Sequence, residues 1–573
     1  MKLRKGAALL APAVVVAMAA AACGGSSTPS GGGGGGGEAK GGTLVYGFET
    51  KFPANLLPVI AAGNSVATAY LEIRVLPSPF RSTPDFKVVP DSELVTSAPT
   101  SEMKAGKQVV TYKLNPAAVW SDGSPIDAKD FKYSWQAQKS SDPKAGGCAD
   151  LISTTGYDQM SSVEGADNDK TVTVTYTTPF SDWQNMFAQL LPAHVMDKGD
   201  PKANCDAIRT GWPTEGGIPV AGGPWKLDKS GVSTGQKTLT LTPNDKYWGE
   251  KPKLDRLVYL AIGNDPGVSV KAIKSGEVGM IYPQPQLDLV KDLQALAPKI
   301  TTKISFGLSF EHLDMNTRNV HLKDPVVRKA IATALDRPAL VKATVAEFDN
   351  RAQVLDNRFY VNNQPEYKDN SGGQYKTADV AKAKSMLEGD GYTLGPDGYY
   401  TKGGNKLSLE LMTTQNNPLR ENTIDVITAQ LKPAGIKINK FLNPDIFEDK
   451  SKPRSLEGGK FDMALYAWVS SIFVSGNVSI YKSVKGDSQG QNYVHCNDPQ
   501  VDTLLEQMTK ETELAKQAEA ANAADTQLWQ DMCTLPLYQK PTLLAYDSNF
   551  VNVGENSTNA GPLWNSEKFA RKA

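Results

Sequence analysis

Apolar and polar residues alternate in several short stretches of the chain, and this period of two predicts β-strands with one buried face. Three such stretches are GGTLVYGFET at 41–50, TVTVTYTT at 171–178 and KTLTLTPN at 237–244. A fourth, KLSLELMTT at 406–414, precedes a stretch with helical spacing that ends near Gly435, and IKINKF then alternates again. This order predicts a strand, a helix and a strand, which favours a parallel pair and an α/β domain.

Two other stretches have the period of an amphipathic helix. In KDPVVRKAIATALDRPALVKATV, which starts at Lys323, Asp324 can cap the helix and Pro325 suits its first turn. A long helical stretch is also predicted from about Pro499 to Asp531. No short internal repeat interrupts this pattern of mixed strands and helices.

The start of the chain reads as a targeting segment. Three of the first five residues are basic, and the apolar stretch at 7–22 is shorter than the roughly 20 residues that span a bilayer. We therefore predict a signal peptide at 1–22. Three alanines precede Cys23, and this ending resembles the lipobox of bacterial lipoproteins, which implies that Cys23 is lipidated. The alternative is an ordinary secretory signal with an incidental cysteine. The Gly/Ser-rich segment at 23–42 predicts a flexible tether.

Composition and charge are ordinary for a globular protein. The chain of 573 residues has 40% hydrophobic and 21% charged residues and a net charge of −1, so nothing indicates a nucleic-acid or anionic partner. At roughly 150 residues per domain, the chain after the tether suggests three or four structural units. No later segment approaches the length of a membrane span, so the lipid would be the membrane attachment.

Four further cysteines favour disulfides in an exported protein. Four cysteines allow three pairings, and the sequence alone leaves all three open. We favour Cys148–Cys205 and Cys496–Cys533, because each pair closes a moderate loop within one region. A metal site is not indicated, because no two cysteines have C-x-x-C spacing and only His495 adjoins a cysteine. No metal or other cofactor is expected.

Two matches to catalytic motifs do not predict an enzyme. GVSTG at 231–235 fits the nucleophile motif G-x-S-x-G, but it is polar on both sides and precedes a strand, so a hairpin turn is favoured. SDPK at 141–144 fits S-x-x-K, but its Asp-Pro step favours a turn. With four histidines and no acid–base constellation, catalysis is not expected, and an anchored hydrolase is kept only as the alternative from another class.

Seven segments in order carry the resemblance to a known family. They are WSDGSPIDAKDFKYSW (120–135), AGGPWKL (221–227), NDKYWGEKPKLDRLVY (244–259), AIKSGEVGMIYPQP (272–285), HLDMNTRNVHLKDPVVRKAIATALDRPAL (312–340), KFDMALYAWVSS (460–471) and TLPLYQKP (534–541). Together they resemble the family 5 extracellular solute-binding proteins of ABC importers, which include receptors for oligopeptides, dipeptides and nickel. The resemblance covers nearly the whole chain after the tether.

The resemblance implies an α/β, two-lobed periplasmic-binding-protein-like fold of type II, which closes around a ligand by a hinge. By analogy the first lobe is discontinuous and carries an extra subdomain. The expected boundaries are 43–77, 212–306 and 536–573 for lobe I, 78–211 for the extra subdomain and 307–535 for lobe II. The chain would cross the hinge near Ser309 and near Leu535.

The resemblance also indicates the ligand site. Trp468 lies in an apolar stretch with strand character, and family members place this strand end beside the ligand groove. A main-chain edge there can pair with an extended peptide. The other candidate ligand-binding residues are Tyr466, Ser470, Ser471, Phe310, Glu311 and Glu49.

Peptide receptors of this family commonly hold the ligand's terminal amine with an Asp about three residues beyond the matching Trp. This chain has Ser471 there, and AWVSSIFVSG contains no carboxylate. A buried ammonium needs an acidic partner, so Glu49 or Glu311 would have to supply it, or the amine stays in water. A third possibility is that the ligand has no such amine.

These observations together predict a transport receptor. We expect a monomer, lipid-anchored at the extracellular face of the cell membrane, that captures short peptides for the membrane subunits of an ABC permease. The alternative within binding proteins is a receptor for a metal chelate or an oligosaccharide. No nucleic-acid partner and no cofactor are expected.

Overall fold

The computed structural model describes residues 38–39, 41–60, 62–448, 450–484 and 490–573. The predicted signal peptide and Cys23 lie outside these residues, as does most of the predicted tether. Within the described part of the chain, no helix combines the length and the apolar character that crossing a membrane requires.

The described chain opens with two strands and a helix, and residues 78–211 then build a sheet of their own. The opening elements are β1 (Glu38–Ala39), β2 (Thr43–Phe48) and α1 (Val66–Glu72). The elements of 78–211 are β3 (Phe80–Ser82), β4 (Val88–Pro90), β5 (Thr100–Lys104), β6 (Lys107–Lys113), α2 (Ala128–Gln138), β7 (Met160–Ala166), β8 (Thr171–Tyr176), α3 (Ala193–Met196) and α4 (Pro201–Thr210). Strands β5, β6, β8 and β7 form an antiparallel sheet in that order, and β3 and β4 form a hairpin.

Local signals in this part of the chain are confirmed. Helix α2 has a capping box, because the Asp127 carboxylate accepts the N–H of Lys129 at 2.8 Å and Asp130 accepts the N–H of Asp127 at 3.1 Å. TVTVTYTT forms β8, with alternating buried and half-buried side chains.

The chain then returns to the first lobe and crosses into the second. Its next elements are β9 (Trp225–Lys226), β10 (Val232–Ser233), β11 (Thr238–Pro243), β12 (Arg256–Ala261), α5 (Pro266–Ser275), β13 (Met280–Ile281), α6 (Leu287–Gln294) and the long β14 (Ile300–Met315). The motif GVSTG belongs to the β10–β11 hairpin, where Ser233 pairs with Thr238, as its polar surroundings predict.

The second lobe supplies most of the helices. Its elements are α7 (Pro325–Thr333), α8 (Arg337–Lys342), α9 (Val380–Gly389), β15 (Thr393–Leu394), β16 (Tyr400–Lys402), β17 (Asn405–Lys406), β18 (Ser408–Thr414), α10 (Pro418–Leu431), β19 (Lys437–Asn443), β20 (Met463–Val469), α11 (Val478–Tyr481), α12 (Pro499–Lys510) and α13 (Leu514–Asp531). The chain ends with β21 (Thr534–Asp547), β22 (Phe550–Val551) and β23 (Ala570–Lys572). Strands β18 and β19 are parallel on either side of α10, as the alternating and helical patterns predict.

Two helix predictions are wrong in extent. The stretch from Lys323 forms α7 and α8 rather than one helix, because Asp336 caps a new helix and Pro338 has no N–H to continue the old one. The stretch 499–531 breaks after Lys510, where Glu511 has an extended backbone. The polar run KETE has no apolar face to continue the helix, and the break lets α12 and α13 bury their apolar faces in one cluster.

One mixed sheet runs through both lobes. Eleven of the described strands belong to it, in the order β10, β11, β12, β2, β13, β21, β14, β20, β18 and β19, with β9 paired to β11. Strands β14 and β21 pair antiparallel from Ile300 and Asp547 to Asp314 and Thr534. The register shifts between Phe306 and Phe310, near the first expected crossing. We call β14 and β21 the hinge strands; the lobe boundaries drawn around them stay a prediction.

Two disulfides join the four cysteines of the described chain. Cys148 is bonded to Cys205 and Cys496 to Cys533, which are the pairings favoured from the sequence. Cys148, Cys205 and Asp150 lie close enough together to suggest a metal cluster, but both sulfur atoms are used by the bond. The second disulfide joins the start of the α12–α13 pair to the residue before β21.

A buried group of charges, which we call the hinge ion group, lies between the hinge strands and α10. It consists of Glu311 on β14, Lys540 on β21 and Arg420 on α10. Glu311 Oε1 lies 2.5 Å from Arg420 Nε, and Glu311 Oε2 lies 3.6 Å from Lys540 Nζ. Burial alone would raise the pKa of Glu311, but the two cations outweigh it and hold that pKa below its usual value. The group therefore remains charged in the core.

Glu311→Gln should strongly destabilise the protein. The substitution leaves two buried cations without their common counter-charge, and breaking a buried pair in this way costs about 3–5 kcal/mol. The free energy of unfolding at pH 7, measured by urea denaturation, should fall by about that amount. The matched control is Glu410→Gln at the largely exposed Glu410–Arg454 pair, which should cost less than about 1 kcal/mol. Equal small losses for both variants would contradict a stabilising role for the hinge ion group.

Candidate ligand-binding site

Strand β20 carries the predicted site and lies beside a hinge strand. It pairs antiparallel with β14 along its whole length, so that Trp468 lies opposite Phe310 and Tyr466 opposite His312. On its other side it pairs with β18 only at Met463 and Ala464. The Thr413 hydroxyl of β18 also donates to the carbonyl of Leu465 at 2.8 Å. Residues 466–469 therefore have an outer edge that pairs with no strand of the described chain.

Aromatic rings surround Trp468 on this strand. The ring of His312 lies parallel to that of Trp468 with centroids 5.8 Å apart, and Tyr493 stacks on Trp468 at 6.0 Å. Tyr466 meets Trp468 edge-on at 5.3 Å. We call His312, Tyr466, Trp468 and Tyr493 the aromatic cluster. Its Trp is half-buried, so part of this ring stays available to a partner.

Polar contacts behind the aromatic cluster fix its orientation. The Tyr466 hydroxyl donates to Asp314 Oδ2 at 2.7 Å, and the Thr534 hydroxyl donates to Asp314 Oδ1 at 2.7 Å. His312 is fully buried, and its Nε2 lies 3.6 Å from Asp314 Oδ1. Because Tyr466 and Phe310 are also almost fully buried, we expect them to support the site rather than to present a surface to a ligand.

The segment after Trp468 turns away from the strand. The N–H of Ser470 donates to the carbonyl of Leu308 at 3.2 Å, and the Ser471 hydroxyl accepts the N–H of Phe473 at 3.1 Å. Ser471 is half-buried, whereas Ser470 is buried. Ser471 occupies the position expected for an amine-binding Asp. Its hydroxyl is bonded to its own loop.

The two acids predicted for the site both interact with one lysine. Glu49 follows β2, and each of its carboxylate oxygens lies 3.2 Å from the N–H of Gln284. Burial raises the pKa of Glu49 to about 7, against the opposing effects of this N–H and of Lys540. Burial lowers the pKa of Lys540 to about 8, against the attraction of Glu311. Glu311 is already paired within the hinge ion group, while Glu49 forms no ion pair with any described residue.

The predicted residues thus fall into two groups. Phe310, Tyr466, Trp468, Ser470 and Ser471 lie on or next to β14 and β20, and Glu49 and Glu311 both interact electrostatically with Lys540. Their contacts with a ligand stay predictions. Sequence reasoning did not single out His312, Arg420 or Lys540. The one signal among these three was that of Lys540, a lysine inside the apolar stretch TLPLYQKP.

A curated relative and three solved structures are similar to this chain. The oligopeptide-binding protein OppA of Mycobacterium tuberculosis (strain H37Rv) is 28% identical over 519 residues, which cover 88% of this chain and 81% of OppA. The structure of the periplasmic EDTA-binding protein EppA has a TM-score of 0.84 and 27% identity, covering 94% of this chain and 98% of that one.

Two more distant structures share the fold. The oligopeptide-binding protein AppA of Bacillus subtilis, in complex with a nonapeptide, has a TM-score of 0.74 and 22% identity over 94% of this chain and all of AppA (100%). NikZ of Campylobacter jejuni, in complex with Ni(L-His), has a TM-score of 0.77 and 20% identity over 92% of this chain and 99% of NikZ. These likenesses confirm the predicted two-lobed binding-protein fold.

The family follows from the extent of the sequence match. The family model of the bacterial extracellular solute-binding proteins, family 5 (middle), matches residues 91–490, which is more than half of the chain. This match includes strand β20, the first hinge strand and three of the four residues of the aromatic cluster, namely His312, Tyr466 and Trp468. The chain belongs to the bacterial extracellular solute-binding proteins of family 5, and it is a binding protein rather than an enzyme.

Proposed function

We propose that this protein captures short peptides between its two lobes and delivers them to the membrane subunits of an ABC importer. The observation that carries the proposal is the outer edge of β20 at residues 466–469, which pairs with no described strand and includes the half-buried Trp468. The similarity to OppA, whose name describes an oligopeptide-binding protein, supports the same ligand class.

Recognition at such an edge follows from backbone chemistry. An extended peptide has N–H and C=O groups along both edges, and it can add to β20 as a further strand. Main-chain hydrogen bonds would then supply affinity for many sequences, while Trp468 contacts one ligand side chain. The rings of His312 and Tyr493 lie nearly parallel to Trp468 and pack near it, so little side-chain freedom is left to lose on binding.

A metal chelate is the second candidate ligand. EppA is described as an EDTA-binding protein, and the structure of NikZ is a complex with Ni(L-His). Both proteins share the fold of this chain. A chelate has no peptide backbone to pair with β20 and carries negative charge, for which Lys540 is a buried cation that interacts with both predicted acids. Titration with Ni(L-His) and with Fe(III)-EDTA, alongside peptides, separates the two ligand classes.

The proposal also includes the membrane anchor and the permease partner. Cys23 lies outside the described residues, and the anchor rests on the signal-like start and the lipobox-like ending of that segment. A Gly/Ser-rich tether of this kind would let the folded lobes move close to a permease while the lipid holds the chain at the membrane.

Cys23→Ser should move the protein from the membrane fraction to the medium. Without the thiol no lipid can be attached, and stable anchoring requires at least two acyl chains on the protein. The fold should be unchanged, as measured by circular dichroism and the melting midpoint. Immunoblots of detergent-free membrane and medium fractions check the location. A variant that stays with the membranes would contradict the anchor.

Trp468→Ala should weaken binding of the tightest peptide from a synthetic pool by about 30-fold or more. Removing an aromatic side chain from a desolvated site typically costs about 2 kcal/mol or above. Trp468→Phe keeps a stacking face for His312 and should weaken binding less than tenfold, which makes it the matched control. Calorimetric titration of all three proteins provides the affinities. Unchanged binding by the Ala variant would exclude Trp468 from the site.

Acetylation of the same peptide's amine should change its affinity by less than tenfold, or about 1.4 kcal/mol, because Ser471 replaces an acid at the expected position. A hundredfold loss would show that an acid does hold the amine. Glu49 would then be that acid, and the effect of acetylation should grow as the pH rises through 7, where Glu49 ionises. Glu49→Gln would remove this pH dependence.

A further inference from the structure

The hairpin of β3 and β4 places an aromatic residue where the turn favours glycine. Thr83 and Lys87 close a three-residue loop, with the N–H of Thr83 donating to the carbonyl of Lys87 at 2.9 Å and that of Phe86 to the carbonyl of Thr83 at 3.0 Å. Phe86 has a φ of 61°. In three-residue hairpin loops this last position is left-handed and suits Gly or Asn, and a bulky side chain is disfavoured there. The turn itself therefore does not explain the phenylalanine.

The surroundings of Phe86 do explain it. Pro84, Asp85 and Lys87 at the tip are exposed, but Phe86 is partly buried. Its ring packs against a cluster of Leu308, Phe310, Leu355 and Val361, which Trp468 and Ile472 also contact. The hairpin belongs to the segment 78–211, whereas the cluster lies on hinge strand β14 and on the second lobe. Phe86 therefore bridges from the extra subdomain to the Trp468 site.

A second contact holds the same loop from the same subdomain. Asp182 Oδ2 accepts the N–H of Ser475 at 2.7 Å, and Asp182 Oδ1 accepts Gln517 Nε2 at 2.7 Å. Its neighbour Ser181 donates its N–H to the carbonyl of Thr509 at 2.9 Å. Phe86 thus packs on the same cluster as Trp468 and Ile472, and Asp182 holds Ser475 at the far end of the segment 468–475.

We propose that Phe86 is a specificity-determining wall of the ligand site, which closes over Trp468 and selects peptides with an apolar side chain at that point. The selection of peptides rests on the proposed function. The closure does not rest on the proposed function, because it depends on contacts that are made without any ligand. The hairpin carries the aromatic ring in a disfavoured backbone conformation, and the ring's contacts with the Trp468 site are what that conformation achieves.

Phe86→Asn tests the wall without disturbing the turn, because Asn accepts the left-handed backbone. The matched control is Ala105→Asn, at an exposed position with φ of 48° on the remote β5–β6 turn. Both variants should melt at or above the wild-type midpoint. In hydrogen exchange of the ligand-free proteins, amides of residues 468–475 should exchange at least tenfold faster in Phe86→Asn and at the wild-type rate in Ala105→Asn.

The selection is measured with pentaalanine and five pentapeptides that each carry one Phe in place of Ala. At one position Phe should tighten wild-type binding at least tenfold relative to pentaalanine, and Phe86→Asn should reduce this preference below threefold. Unchanged exchange in Phe86→Asn would overturn the closure, and a retained preference would overturn the selection. Faster exchange with no peptide bound by the wild type would instead refute the proposed peptide ligand and leave the closing role of Phe86 standing.

Discussion

The antiparallel pairing of β14 with β21 makes the two lobes parts of one sheet. This pair lies inside the large sheet, so the strands on both sides of it are positioned relative to it. Strand β20 lies against β14 on one side, and β13 and β2 continue the sheet from β21 on the other. A shift of register between Phe306 and Phe310 gives the strands a place to bend without breaking the ladder on either side.

The hinge ion group fixes the register of β21 along β14. Glu311 satisfies Arg420 and Lys540 at once, so a slip of β21 along β14 would leave unpaired charges in the core. Lys540 also lies near Glu49 on the first lobe, and its lowered pKa reflects how little water reaches it. Charges from the first lobe, the hinge and the second lobe are therefore coupled through a single lysine, which is a means by which a ligand charge could influence the hinge.

Local patterns predicted the elements better than their ends. The alternation of Leu407, Leu409 and Leu411 and the period of α10 gave a correct strand–helix–strand unit, because each pattern reflects one buried face. The breaks at 334–336 and in KETE were missed, because apolar spacing on both sides looked continuous. Trp468 was predicted as a site residue through family resemblance. Lys540 and Phe86 were not singled out, because their importance arises only when strand pairing and subdomain packing bring distant segments together. The spacing of apolar residues in the sequence does not indicate such contacts.

The disulfide between Cys496 and Cys533 has a mechanical consequence. It closes the α12–α13 pair into a covalent loop of 37 residues directly before β21. Tension applied between the two chain ends would pass through the sulfur bridge and bypass the helices. At about 3.5 Å per extended residue, roughly 130 Å of contour length would not be released under this tension. The chain could thus be stretched from its two ends without drawing out the two helices on which Ser181 and Asp182 dock.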